Sequence, residues 1–178
     1  MQFRSLFMSA RISAFILAFA LCVSSAQAED AVAMTAGVAK TVITPENWQE
    51  LTTVMGTKAT AKDHDLYARA LVLNDGTSRL VIITYDLNCL DVATPILRKR
   101  CRDELKIEPS HLVLLGTHNH AAPIQIVPEN FEYGRWLADR MFQLIEEAIA
   151  AEQGPVRVEA GQGYGYFIRT FGISSFFY

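Results

Sequence analysis

The 178-residue chain is 51% hydrophobic and 20% charged, and its formal net charge is −3 at pH 7. That length corresponds to one domain and is sufficient for a hydrophobic core. No stripe of lysine and arginine interleaves with aromatic residues, which argues against nucleic acid as a partner.

Residues 1–28 have the pattern of a cleaved signal peptide. Arg4 and Arg11 provide a basic start, the apolar run ISAFILAFALCV follows, and Ala-Gln-Ala precedes the acidic residue Glu29. The apolar run is shorter than the roughly 20 residues that a membrane span needs, so cleavage after Ala28 is favoured over a membrane anchor. We therefore expect an exported protein, periplasmic or secreted, whose mature domain comprises residues 29–178.

The mature chain carries two cysteines, Cys89 and Cys101. An oxidising compartment would permit a disulfide between them, but two buried thiols fit the sequence equally well. The spacing leaves both alternatives open, because it does not show how far apart the two Cα atoms lie.

Hydrophobic patterns after residue 33 predict alternating strands and helices. Strands are predicted over residues 34–44, 66–74, 79–87, 111–117 and 156–161. The second and third form a hairpin through an Asp-Gly turn. One helix is predicted from an N-cap at Thr94 to about Lys106, and another over residues 132–153, ended by Gly154-Pro155. The order β-ββ-α-β-α-β predicts an α/β fold with a layered mixed sheet flanked by helices.

Two histidines, His118 and His120, follow the wholly apolar fourth strand. The carboxyl edge of an open α/β sheet is where ligands bind, and in extended chain positions i and i+2 point to the same side. Both imidazoles could therefore face one point, as two zinc ligands do. A catalytic zinc needs a third ligand and an open position for water. The alternative is two polar loop residues that cap the strand, and the spacing alone leaves it open.

Other polar residues have weaker patterns. Asp86 ends the third strand, where its carboxylate could bind metal, orient a ligand imidazole or cap the next segment. His64 precedes the second strand and could reach the same edge, whereas His111 starts the fourth strand at the far end from His118. Arg69 lies within an apolar strand, which favours a structural ion pair.

Four segments in this order resemble the N-terminal part of the neutral/alkaline, non-lysosomal ceramidase family. They are AGVAKTVITP, HDLYARALVLNDG, ITYDL and LLGTHNHAAP, and the resemblance covers about residues 36–165. The most specific segment contains the histidine pair, which in the family usually reads T-H-T-H-S-G-P. His64 matches a histidine often found before the corresponding strand of the family, with no role assigned to it.

The resemblance implies a zinc-dependent amidase that cleaves the N-acyl bond of ceramide or a related lipid amide. It implies His118 as a zinc ligand and His120 as a neighbour that binds or polarises the substrate carbonyl, although either histidine could be the ligand. Asp86 is the second catalytic candidate beside His120. A lipid substrate also implies peripheral contact with membrane lipid.

Three departures from the family pattern affect these expectations. Asn119 replaces the usual threonine, and Ala121 and Ala122 replace Ser-Gly, which changes the hydrogen bonding of the loop. The family's remaining zinc ligands, a later His and then a Glu and a Tyr, lie beyond residue 178. We therefore expect a truncated member with at most a partial zinc site and little activity alone. The alternative is a non-catalytic exported module that binds metal or a partner.

Overall fold

A computed structural model describes residues 33–159 and 161–163 of the chain. The predicted signal peptide and the aromatic segment 164–178 lie outside the described residues. Within the described part, no helix is both long enough and apolar enough to cross a membrane.

Five strands and two helices form the described structure. The strands are β1 (Met34–Val42), β2 (Tyr67–Asn74), β3 (Arg79–Tyr85), β4 (Leu112–Gly116) and β5 (Gln153–Val156). The helices are α1 (Ala93–Leu105) and α2 (Phe131–Ala150). The sheet has the order β4-β3-β2-β1-β5, in which only β3 and β4 pair in parallel. The predicted element order and the layered mixed sheet are confirmed.

The hydrophobic core lies between one face of the sheet and the two helices. Alternate strand residues such as Val72 and Ile83 are fully buried there, as period-two alternation requires. The predicted stripe on α2 is buried at every position: Leu137, Met141, Leu144, Ile145 and Ala148. Helix α2 approaches β1 so closely at Gly37 that an added Cβ would lie 1.9 Å from the carbonyl oxygen of Ala148.

The start of α1 differs from the prediction. The helix begins at Ala93, and Thr94 lies inside its first turn, where its hydroxyl donates to the carbonyl of Leu90 instead of capping the helix. The backbone N–H of Ala93 is instead satisfied by the side chain of Gln125, at 3.2 Å. A residue distant in sequence has replaced the local cap, so the N-cap prediction was wrong.

The last helix and strand also have other bounds than predicted. Helix α2 ends at Ala150, and β5 begins at Gln153, so Gly154-Pro155 lies within a strand instead of ending the helix. Strand β5 is at the edge of the sheet, where a proline without an N–H is tolerated. Strands β1 and β3 each end two residues earlier than predicted, at Val42 and Tyr85.

Candidate functional site

The candidate site lies where the parallel strands β3 and β4 end. The N–H of Thr117 donates to the carbonyl of Tyr85 at 3.0 Å, and the N–H of His118 donates to that of Leu87 at 3.1 Å. A Cβ on Gly116 would lie 2.8 Å from the carbonyl oxygen of Asn88, so only glycine allows this close approach. The backbone that carries the histidines is thus fixed against the loop after β3.

The two imidazoles are neighbours. Their ring centroids lie 4.8 Å apart with an interplanar angle of 49°, and both residues are exposed. His118 has a φ of 61°, in the left-handed region, so the extended conformation expected for this segment is wrong. The rings meet because the chain turns, and an Asx turn from Asn119 to the N–H of Ala121 (2.9 Å) continues that turn.

Asn88 is the side chain that contacts His118. Its amide nitrogen lies 3.3 Å from Nδ1 of the imidazole. An amide can present either its NH₂ or its carbonyl oxygen to a ring nitrogen. If the oxygen faces the ring, Nδ1–H donates to it and the lone pair of Nε2 becomes available to a ligand. The sequence pattern did not indicate Asn88, because nothing in ITYDLN distinguishes it from a loop asparagine.

Gln125 connects the segment after the histidines to the segment after β3. This fully buried side chain accepts the N–H of Ala93 at 3.2 Å and donates to the carbonyl of Cys89 at 3.0 Å. One residue of the segment after the histidines therefore holds the segment after β3. A buried amide with both ends paired is a rigid support. Sequence analysis missed it, because its partners are distant in the chain.

Asp86 is directed toward strand β2. Its carboxylate accepts the backbone N–H of Tyr67 at 3.0 Å and lies 3.8 Å from Nη1 of Arg69. The ion pair predicted for Arg69 is present, with half of the arginine side chain exposed to solvent. Across the described residues, no three His, Cys, Asp or Glu side chains are close enough to hold a metal ion together. The catalytic role of Asp86 stays a prediction.

His64 lies at the same edge as the histidine pair. It lines a shallow hollow of about 160 Å³ together with Asn119, Ala121 and Trp48. That volume is below the roughly 300–1,000 Å³ of typical ligand pockets, so the hollow is too small to enclose a ligand of that size. His111 ends a 3-10 turn before β4, at the opposite end of that strand from the site, as predicted.

The two described cysteines are free thiols. Burial raises the pKa of Cys101 to about 11. Burial, followed by a hydrogen bond to Asp91, raises the pKa of Cys89 to about 11. Of the two alternatives that the sequence left open, the structure has separate thiols. Since the thiolate is the nucleophile, a raised pKa disfavours reaction of either group at neutral pH.

The fold is similar to that of solved ceramidases. The crystal structure of neutral ceramidase from Pseudomonas aeruginosa has a TM-score of 0.57 and 21% identity, and the match covers 70% of this chain and 22% of that one. A ceramidase complexed with C2 has a TM-score of 0.54 and 21% identity, with coverage of 68% and 22%.

No family model matches the chain, and no curated protein does. The matched segment corresponds to about a fifth of the length of each solved ceramidase. At this identity the likeness concerns the fold, and the described sheet and helices share the fold of part of a ceramidase.

Proposed function

We propose that this chain is part of an exported, zinc-dependent amidohydrolase that cleaves the N-acyl bond of ceramide or a related lipid amide. The observation that carries the proposal is the pair of exposed imidazoles, 4.8 Å apart, at the carboxyl edge of a sheet with the ceramidase fold. An exported enzyme with such a substrate would also contact membrane lipid at its surface.

The histidine pair fits zinc as part of a ligand set. Neutral imidazole is a preferred zinc ligand, and a catalytic site uses three protein ligands. His118 is the proposed ligand, and His120 either binds the same ion or contacts the substrate. When bound, zinc supplies a Lewis acid and lowers the pKa of water to about 7. Since no third side chain completes a ligand set among the described residues, the proposal takes the other ligands from outside them.

The chain's own residues have distinct tasks in this proposal. With its amide turned so that the oxygen takes the place of the nitrogen beside Nδ1, Asn88 accepts Nδ1–H of His118 and leaves Nε2 of that imidazole for metal. His120 donates a hydrogen bond to the amide carbonyl oxygen of the substrate as negative charge develops there. Oδ2 of Asp86 already accepts the N–H of Tyr67 and lies near Arg69, so Asp86 is the weaker catalytic candidate.

The segment after the histidines differs from the ceramidase pattern at the positions where we expect contact with the substrate. Asn119 uses its side chain to close the turn at Ala121, and Ala122 is buried. A serine hydroxyl is missing from this turn, where the ceramidase pattern carries Ser-Gly. We expect weaker polar contact with the substrate head and therefore a preference that differs from that of ceramide-specific relatives.

The first experiment measures zinc binding by imidazole NMR signals in the chain 29–178. We expect added zinc to shift the signals of His118 and His120. His118→Ala should abolish the shift of the remaining imidazole or weaken it strongly. His111→Ala is the matched control, because His111 lies at the other end of β4 and should leave binding unchanged.

Two results would contradict the proposal. One is the absence of any shift at saturating zinc, and the other is an equal effect of His111→Ala. The amidase step is tested separately by translating the DNA past codon 178 in all three frames. If a longer reading supplies a later His and a Glu/Tyr pair, His118→Ala in that protein should abolish fatty acid release from ceramide.

A further inference from the structure

The face of the sheet opposite the helices is apolar and uncovered in the described part of the chain. Register pairing places Val38, Leu71, Ile82 and Val113 in one row across β1, β2, β3 and β4. Val38 is 67% exposed, and no described helix packs over this row. A shallow hollow of about 520 Å³ on this face is lined by Val38, Leu71, Ile82 and their neighbours.

Such a face is unusual for a sheet with one solvated side. An antiparallel sheet that is covered on one face normally alternates apolar and polar residues, with the polar ones outside. Here the outer face also carries an apolar row, as in sheets that are buried on both sides. A contiguous apolar patch of this kind marks an interaction surface.

Two cationic side chains, Lys40 and Arg69, lie next to the apolar row on the same face. Nζ of Lys40 lies 3.8 Å from the centroid of the Tyr67 ring, and Cζ of Arg69 lies 5.6 Å from it. A cation binds favourably to the face of an aromatic ring. The surface is therefore suited to an occupant rich in aromatic side chains. A second copy of the same face would add two more cations and one aromatic ring, Tyr67.

We propose that residues 164–178 of this chain cover the open face, hereafter the tail segment. Nine of its fifteen residues are Tyr, Phe or Ile, and Arg169 is its one charged side chain. The aromatic side chains would fill the row and stack on the two cations. No other stretch of this length in residues 29–178 has as many aromatic residues.

The chain length is sufficient for this arrangement. Strand β5 pairs with β1 at the sheet edge, through Val156 and Met34. Residues 157–163 can span up to about 23 Å at 3.3 Å per residue. From β5 to β3 there are three strand spacings, or about 14 Å, across the sheet. Ile82 is in register with Val38, four residues or about 13 Å along the strands from Met34, so the direct distance is about 19 Å. The tail segment can therefore reach Ile82 from the end of β5.

The test places the photo-cross-linker p-benzoylphenylalanine at position 82 of the full chain. We expect a cross-link within the monomer that maps to tryptic peptides 158–169 or 170–178. The same cross-linker at Glu146, which is exposed on α2, should not capture the tail segment. A cross-linked dimer would identify a second copy as the occupant and overturn the proposal, as would the absence of any protein adduct.

A second measurement avoids the bulky cross-linker. Replacing Phe167, Phe171 and Phe176 together by Ser should raise the fluorescence of a hydrophobic dye several-fold, because the open face would lose its cover. Adding Ile82→Lys to that variant should reverse most of the rise. Equal dye fluorescence of the wild type and the triple variant would overturn the proposal.

Discussion

The two ends of the sheet carry polar clusters of opposite kinds. At one end, the carboxylate of Glu152 accepts hydrogen bonds from Thr35 (3.0 Å), Asn74 (2.8 Å) and Arg79 (2.6 Å). At the other end, His118 and His120 are exposed. The one hydrogen bond that the described residues give either imidazole is the contact from Asn88 to His118.

The difference in hydrogen-bond saturation separates a structural cluster from a candidate binding cluster. The side chain of Glu152 is 12% exposed, and both of its oxygens accept hydrogen bonds from the protein, so little of its acceptor capacity is left for a ligand. The imidazoles retain ring nitrogens that can bind metal or a carbonyl oxygen. Polar residues at a strand end therefore indicate a candidate binding site when some of their donor or acceptor atoms have no partner in the protein.

Glu152→Ala should produce the largest loss of stability among the changes considered. It leaves Asn74, Thr35 and Arg79 without their shared acceptor, and we expect the free energy of unfolding to fall by about 2–3 kcal/mol. Urea denaturation measures this. Zinc binding by the histidine pair should be unchanged at temperatures where the variant is folded, and a parallel loss of zinc binding would contradict the separation of the two clusters.

The same cluster predicts acid sensitivity. Burial raises the pKa of the Glu152 carboxyl, but hydrogen bonds from Asn74, Arg79 and Thr35 outweigh it and hold the pKa below its ordinary value. A lowered folded-state pKa stabilises the protein above the unfolded value of about 4.3, and this contribution disappears as the pH falls through the folded-state pKa. In Glu152→Gln, the free energy of unfolding should lack this part of its pH dependence between neutral pH and pH 3.

Local sequence signals account for the elements of this fold. Alternation and the Asp-Gly turn indicated the hairpin, and helical spacing indicated the buried stripe of α2, because these patterns depend on neighbours in the chain. The cap of α1 was missed because Gln125 supplies it from 32 residues away. The bounds of β5 were missed because its pairing with Met34 outweighs the disfavour of Pro155.

The site was predictable only in part, for the same reason. The position of the histidines at a strand end followed from the apolar run before them. The left-handed backbone of His118 did not, since it depends on the contact of its N–H with Leu87. The spacing of residues in the sequence predicts neither the contact of Asn88 with His118 nor the hydrogen bond from Tyr67 to Asp86. Each joins separate strands or loops.

Asn88→Ala should have a medium effect, confined to metal binding. Without an acceptor for Nδ1–H, the His118 ring loses its orientation, and we expect zinc affinity to fall about tenfold, or about 1.4 kcal/mol. Competition with a chromogenic chelator measures this. Asn88→Asp keeps an acceptor and should retain the wild-type affinity or exceed it. The melting temperature should be unchanged in both variants, and an affinity of Asn88→Ala equal to that of the wild type would exclude the positioning role.

The smallest expected effect concerns the backbone of His118. A β-carbon at a φ of 61° is strained, and glycine removes that strain. His118→Gly should therefore be more stable to urea than His118→Ala by about 1 kcal/mol, although both lack the imidazole and neither should bind zinc. Equal stability of the two variants would show that the turn carries no strain. The expected result would mean that stability alone favours glycine here, so the histidine is explained by what its ring binds.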